Sequence, residues 1–230
     1  MNTLNSSVET FATNLESLGG LIHTHTSSRK TKRDYIDLEL FFLTSTCHLL
    51  NSDGRLVRCM EYWTYTFGKY LSPSRITKYI QQGIAYDGAV LGALLSIADS
   101  KFPRSGEFHL LIKFTKKHNN APLLAFLKRV KNPDENWIKF GIIAPQFIPD
   151  EPKHFLRSTD YIIKNIPELS YRIKGYTIAI ANINALLDLN GPLSVYKIAK
   201  ITNSTYSYIH GIYNKHIKIT RSAKALVLSK

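Results

Sequence analysis

The sequence predicts a mainly α protein with a minor β component (α+β). An α-rich amino-terminal part is followed by a small carboxyl-terminal unit of three helices closed by a short hairpin. Three observations predict this. Apolar residues recur at helical spacing through residues 36–50, 56–70 and 177–189. Stop and turn signals, notably Asn51-Ser52-Asp53-Gly54, Ser72-Pro73 and Asn190-Gly191-Pro192, punctuate those runs. After Asp188 there is no acidic side chain, whereas Lys197, Lys200, Lys215, Lys218, Arg221, Lys224 and Lys230 follow.

Taken in order, residues 1–33 are rich in Ser, Thr and Asn and end in Arg29, Lys30, Lys32 and Arg33, which predicts a flexible basic arm. Residues 34–175 read as one α-rich domain with no family signature. Ile36, Leu38, Leu40 to Leu43, Cys47, Leu49 and Leu50 make a mostly buried first helix. A second covers residues 56–70. Ser72 is a candidate N-cap for a third, with Pro73 at its first position, where a missing N–H costs nothing. Residues 87–98 are small and apolar enough for a core helix. Residues 107–114 fit a strand or the start of a helix, and residues 121–130 look helical as far as Pro133. Four prolines between residues 137 and 173 predict an irregular stretch, with one short helix at 157–165.

The last part, residues 176–230, is the most explicit. Ile180, Ile183, Leu186 and Leu187 share one face of a helix. Ser194 then caps a short helix over 195–201, burying Ile198 and Ala199 and turning Lys197 and Lys200 outward. Asn203 sits in the following turn, where a left-handed backbone is often needed. A third helix over 205–215 buries Ile209 and Ile212, and residues 217–220 and 225–228 are β-prone segments suited to a hairpin.

Residues 186–228 resemble a winged helix-turn-helix. The run Ile198-Ala199-Lys200 with Thr202, Thr205, Tyr206, Ser207, Tyr208 and Ile209 is similar to the version common in archaeal regulators. That family usually has Gly and an aliphatic residue in the turn, where this chain has Asn203 and Ser204. The resemblance covers about a fifth of the chain and implies sequence-specific contact with double-stranded DNA in a transcriptional regulator or a mobile-element accessory factor. Thr205, Tyr206, Ser207 and His210 would then face base edges in the major groove. Lys197, Lys200, Lys215 and Lys218 would reach phosphates, with Arg221 and Lys224 at the tip of the wing. Tyr208 is expected to pack, and Gly211 to permit close backbone approach or to serve packing.

Composition bounds the alternatives. The chain has 230 residues and a formal charge of +13, which calls for an anionic partner. Residues 101–131 carry eight basic side chains against one acidic, and residues 151–230 carry twelve against four. Phe102, Phe108, Phe114 and Phe126 interleave with the first block, a pattern used for single-strand stacking, though their spacing favours a core role with the lysines left as a surface. No apolar run reaches transmembrane length and residues 1–20 lack a signal-peptide pattern, so a cytoplasmic protein without membrane contact is expected. Cys47 and Cys59 read as buried small hydrophobes.

No P-loop, GxGxxG, GxSxG or HExxH motif is present. His23 and His25 lack a third ligand, so neither metal nor cofactor is expected. Asp87, Asp99 and Glu107 with Lys113 match no nuclease spacing, and no enzyme is expected. Two rival readings stand beside DNA binding: a subunit of a nucleoprotein complex that contacts RNA or protein, and a nucleic-acid-processing enzyme such as a metal-dependent nuclease. A homodimer through the amino-terminal domain is a further expectation the sequence leaves open.

Overall fold

The structure, a computed structural model, describes residues 2–22, 33–50, 52, 54–101, 108–117, 124–125, 130–149 and 154–218. Those residues are mainly helical and divide into two compact units. One comprises Met1–Arg29 and Leu38–Thr159, the other Lys30–Asp37 and Asp160–Lys230.

The first unit begins with a difference from expectation. Over Asn2–Ser17 the expected arm is a helix, α1. Phe11, Ala12, Leu15 and Leu18 are buried on its inner face at helical spacing, and Phe11 stacks on Phe41 with ring centroids 6.0 Å apart. Burial of those side chains outweighs the modest propensity of the polar residues between them. Helix α2 (Leu38–Leu49) is buried nearly all round, and α3 (Gly54–Phe67) brings in Trp63 and Met60, both fully buried. A 3₁₀ turn, Gly68–Tyr70, leads to α4 (Pro73–Gln81), where the Ser72 hydroxyl accepts a hydrogen bond from the Arg75 N–H at 3.4 Å. The cap is anchored in turn by Glu39, fully buried, whose carboxylate accepts from the Ser72 N–H at 2.9 Å and from Arg75 Nε at 3.2 Å.

Helix α5 (Gly88–Lys101) runs through this core with Val90, Leu91, Leu94 and Leu95 fully buried. Gly92 is required there, because a Cβ would collide with the Phe140 ring and the Thr115 hydroxyl. The ambiguous segment 107–114 is helical: α6 spans His109–Lys117. The helix expected over 121–130 is not what forms at Leu124–Ala125, which is a two-residue strand, β1, paired in parallel with β2 (Ile142–Ile143). A short apolar run does not distinguish helix from strand by itself, and a distant partner decides it here. Between the strands lies α7 (Glu135–Ile138), capped by Asp134, whose Oδ1 accepts from the N–H groups of Asn136 and Trp137.

Glu61 is the buried acid of this core. Its Oε1 accepts from the Trp137 indole N–H at 2.7 Å and its Oε2 pairs with Arg58 at 2.9 Å. Burial raises its carboxyl from 4.5 to about 7, a rise that the Arg58 charge, the Trp137 hydrogen bond and the Arg58 hydrogen bond limit and that Asp134 adds to. The cysteines divide: Cys59 is buried as expected, whereas Cys47 is half-buried.

The second unit contains α8 (Thr159–Asn165), α9 (Pro167–Ile173) and α10 (Ile178–Asn190), followed by the two helices described below. The boundary expected at residue 176 therefore falls too late. Glu168 of α9 is fully buried; it takes a 2.6 Å ion pair from Arg33 and the Ile36 N–H at 3.0 Å, so residues 33–37 belong with this unit. Arg172 of α9 donates from Nη2 to the Asn182 side-chain oxygen of α10 at 2.9 Å, both residues buried.

Candidate nucleic-acid interface

Gly191, at φ +74°, ends α10, and the chain turns into α11 (Val195–Ile201), where the Ser194 hydroxyl accepts from the Lys197 N–H at 3.3 Å. The end of α11 is set by Asn203, the one non-glycine residue with positive φ (+51°) among the described residues. The Ser204 N–H reaches back to the Ala199 carbonyl at 2.9 Å and the Asn203 N–H to Lys200 at 3.4 Å, the paired bonds of a Schellman turn. Asparagine thus fills the position where a left-handed residue is needed, and the buried Thr202 hydroxyl closes on the Ile198 carbonyl at 2.9 Å.

That turn aims α12 (Tyr206–Ile212) across α10 and α11. Ile183, Leu186, Leu187, Ile198, Ala199, Ile209 and Ile217 form one buried cluster, with Tyr35, Ile180, Leu193, Val195, Ile212 and Tyr213 packed around it. Ala199 and Ile209 therefore hold the roles their spacing assigned. Beyond Ile212 the helix continues as a π-wound stretch, Tyr213–Lys218. The wider winding turns less per residue, so Tyr213 and Ile217 stay on the same inward side. This corrects the sequence reading at Ile217 and Lys218, which form helix where the first wing strand was expected. Residues 219–230, with Arg221 and Lys224, and the side chain of Lys218 lie outside the described residues.

The outward side of α12 collects most of the expected contacts. Thr205, Tyr206, Ser207 and His210 are all exposed, as are Lys197, Lys200 and Lys215. Thr205 is the N-cap residue but its side chain makes no capping hydrogen bond. Tyr206 and His210 stack with ring centroids 5.6 Å apart and an interplanar angle of 22°. The Asn214 side-chain nitrogen lies 3.0 Å from His210 Nε2, so three side chains make one ordered column. Asn214 was not among the expected contacts; its position four residues after His210 was the available signal.

One expectation fails here, at Tyr208, and one of the two roles open to Gly211 falls away. Tyr208 does not pack but is 56% exposed, because Ile209, Ile212 and Tyr213 already fill the space below. Gly211 is not a packing glycine, since a Cβ there would meet nothing within 4 Å. Tyr196 and Ile201 of α11 are also exposed.

The residues considered for catalysis are described only in part. Asp87 accepts from the Val90 N–H at 2.9 Å at the start of α5, and Glu107, His23 and His25 lie outside the described residues. No group of three His, Cys, Asp or Glu side chains positioned for a metal ion occurs among the described residues, and no helix among them is long and apolar enough to cross a membrane. Comparison with protein-family models, curated proteins and solved structures finds no match to this chain.

Proposed function

We propose that α11, its turn and α12 form a helix-turn-helix that binds double-stranded DNA, with α12 in the major groove. The observation that carries the reading is the division of α12 itself. Ile209 holds one side in the core, while Tyr206, Ser207, His210 and Asn214 stand exposed, as do Lys197 and Lys200 on α11 and Lys215 beyond α12, in a stretch with no acidic side chain after Asp188. The lysines neutralise phosphates and set orientation, and the column on α12 reads base edges. His210 and Asn214 together offer both donors and acceptors, which suits the mixed pattern of the major groove.

In this reading the protein is a regulator or a mobile-element accessory factor of winged helix-turn-helix type. Arg221 and Lys224, outside the described residues, are proposed as further phosphate contacts. A second reading, protein or RNA contact by the same unit, is favoured by the exposure of Tyr196 and Ile201 on α11. Gel-shift titration of the full chain against duplex DNA, structured RNA and single strands separates the two. Duplex preference with selection among sequences supports the first. RNA preference, or no retained nucleic acid, contradicts it.

A further inference from the structure

Tyr206, His210 and Asn214 follow one another four residues apart along α12 and its continuation, and each is joined to the next. The Tyr206 and His210 rings stack, 22° apart in plane. Asn214 Nδ2 then lies 3.0 Å from His210 Nε2 and 3.5 Å from Nδ1. An amide nitrogen donates and does not accept, so the shorter contact is Asn214 giving one N–H to His210 Nε2. That bond uses one of the two amide protons. It leaves the second N–H and Oδ1 side by side on an exposed residue, with their direction set by the column beneath.

A donor and an acceptor held side by side match one base in particular. On its major-groove edge adenine sets the N7 acceptor beside the N6 amino donor, whereas guanine sets two acceptors, N7 and O6, together. Guanine is answered by two donors, for which arginine is the usual residue, and cytosine by a carboxylate that accepts from N4. From Tyr206 to Lys218 there is no Arg, Asp or Glu, and Asn214 is the only side-chain amide. Lys215, the next residue, is turned roughly a quarter of the way round the helix from Asn214, which separates it from the edge that the column faces.

We infer that Asn214 takes adenine through a pair of hydrogen bonds, donating from Nδ2 to N7 and accepting at Oδ1 from the N6 amino group. The duplexes favoured by α12 are then those with an A·T pair at its place in the major groove. His210 positions Asn214, and Tyr206 holds His210. This role rests on the duplex reading above and deepens it: the lysines hold any duplex, and Asn214 chooses among them.

The test is competition binding of the full chain, read by fluorescence anisotropy, with duplexes of about twenty base pairs, two helical turns. Alternating A·T binds roughly tenfold more tightly than alternating G·C, the discrimination of one good bidentate pair. Alternating inosine·cytosine, which has an A·T-like minor groove and a G·C-like major groove, behaves as G·C. Replacing adenine by 7-deazaadenine removes the N7 acceptor alone and weakens binding of the parent chain. Asn214→Ala binds the adenine and 7-deazaadenine duplexes alike, with its salt slope unchanged. His210→Phe keeps a ring against Tyr206 but removes the acceptor for Asn214, so its A·T preference falls while its affinity for G·C stays. Asn214 is exposed, and circular dichroism melts of Asn214→Ala should match the parent. Salt-dependent duplex binding without an A·T preference overturns the inference and leaves the duplex reading standing. So does a preference that inosine·cytosine shares or that survives in Asn214→Ala. A chain that holds no duplex overturns both.

Discussion

Helices α2 and α12 bury themselves in opposite ways. In α2, eight of twelve residues are buried, including the polar Glu39, Ser45 and Thr46, and each of these makes its hydrogen bonds inside the unit. In α12 only Ile209 of seven residues is buried. Folding accounts for nearly every side chain in α2. In α12 it accounts for Ile209 and, in part, Ile212, and leaves the tyrosines, serine and histidine along the outer side without a core role. In the proposed reading, the exposed Tyr206 and the stacked and hydrogen-bonded His210 are there to meet DNA.

The largest effect that can break this contrast is at the one buried residue. Ile209→Ala should destabilise the second unit by about 2–5 kcal/mol in chemical denaturation of the full chain. Ala199→Leu should cost about 1–3 kcal/mol, because a larger side chain forces α11 and α12 apart. Tolerance at both positions would mean that the cluster around Ile183 and Leu186 does not hold the helices together. The full chain is needed for this measurement, since Arg33 and Glu168 tie residues 33–37 to this unit.

The α2 side of the comparison has its own test in Glu61, the buried acid beneath the same core. Its carboxyl is held at about 7, above the ordinary 4.5, so between those values the folded chain keeps a proton that the unfolded chain releases. That contribution is fully present below about pH 4.5 and is lost as pH rises through about 7. At about 1.4 kcal/mol per unit it amounts to roughly 3 kcal/mol. Glu61→Gln keeps an acceptor for the Trp137 indole and removes the titration, so its stability should lose this part of the pH dependence. Parallel pH curves for the two proteins would contradict the buried-acid account.

A smaller effect sharpens the outer face of α12. Ser207→Ala or His210→Ala should change preference among duplex sequences by about 1–3 kcal/mol, whereas Lys200→Ala should weaken all duplexes alike. Competition binding with a panel of duplexes reads both, and the reverse pattern would show that the helix is wrongly oriented. The smallest effect belongs to Thr205. With no capping bond from its hydroxyl, Thr205→Ala should stay within about 0.5 kcal/mol of the parent in the same denaturation series.

What could be read in advance follows the range of the forces involved. Ser72, Ser194 and Asn203 were legible because each satisfies backbone groups within a few residues of itself. Ala199 and Ile209 were legible because helical spacing alone puts them on facing sides. Helix α1 carried its signal in Phe11, Leu15 and Leu18, but the surrounding Ser, Thr and Asn masked it. Leu124 and Ala125 owe their strand to Ile142 and Ile143, and the unit boundary owes its place to Arg33 and Ile36 meeting Glu168. No local pattern announces such partners, whether 18 residues away, as Ile142 is from Leu124, or 135 away, as Glu168 is from Arg33. Tyr208 misled because an aromatic beside a core isoleucine looks like core until the space is counted.

The central claim, that the lysines around α12 meet duplex phosphates, is tested most directly by the salt dependence of duplex binding. The parent chain should give a slope of log K against log salt of roughly −4 to −6, from about −0.9 per phosphate neutralised. Replacing Lys197, Lys200 and Lys215 together by Ala should bring it to about −1 to −3, a loss of about 0.9 for each lysine, while the protein stays folded. An unchanged slope in the triple variant, or parent binding that ignores salt, would contradict the account.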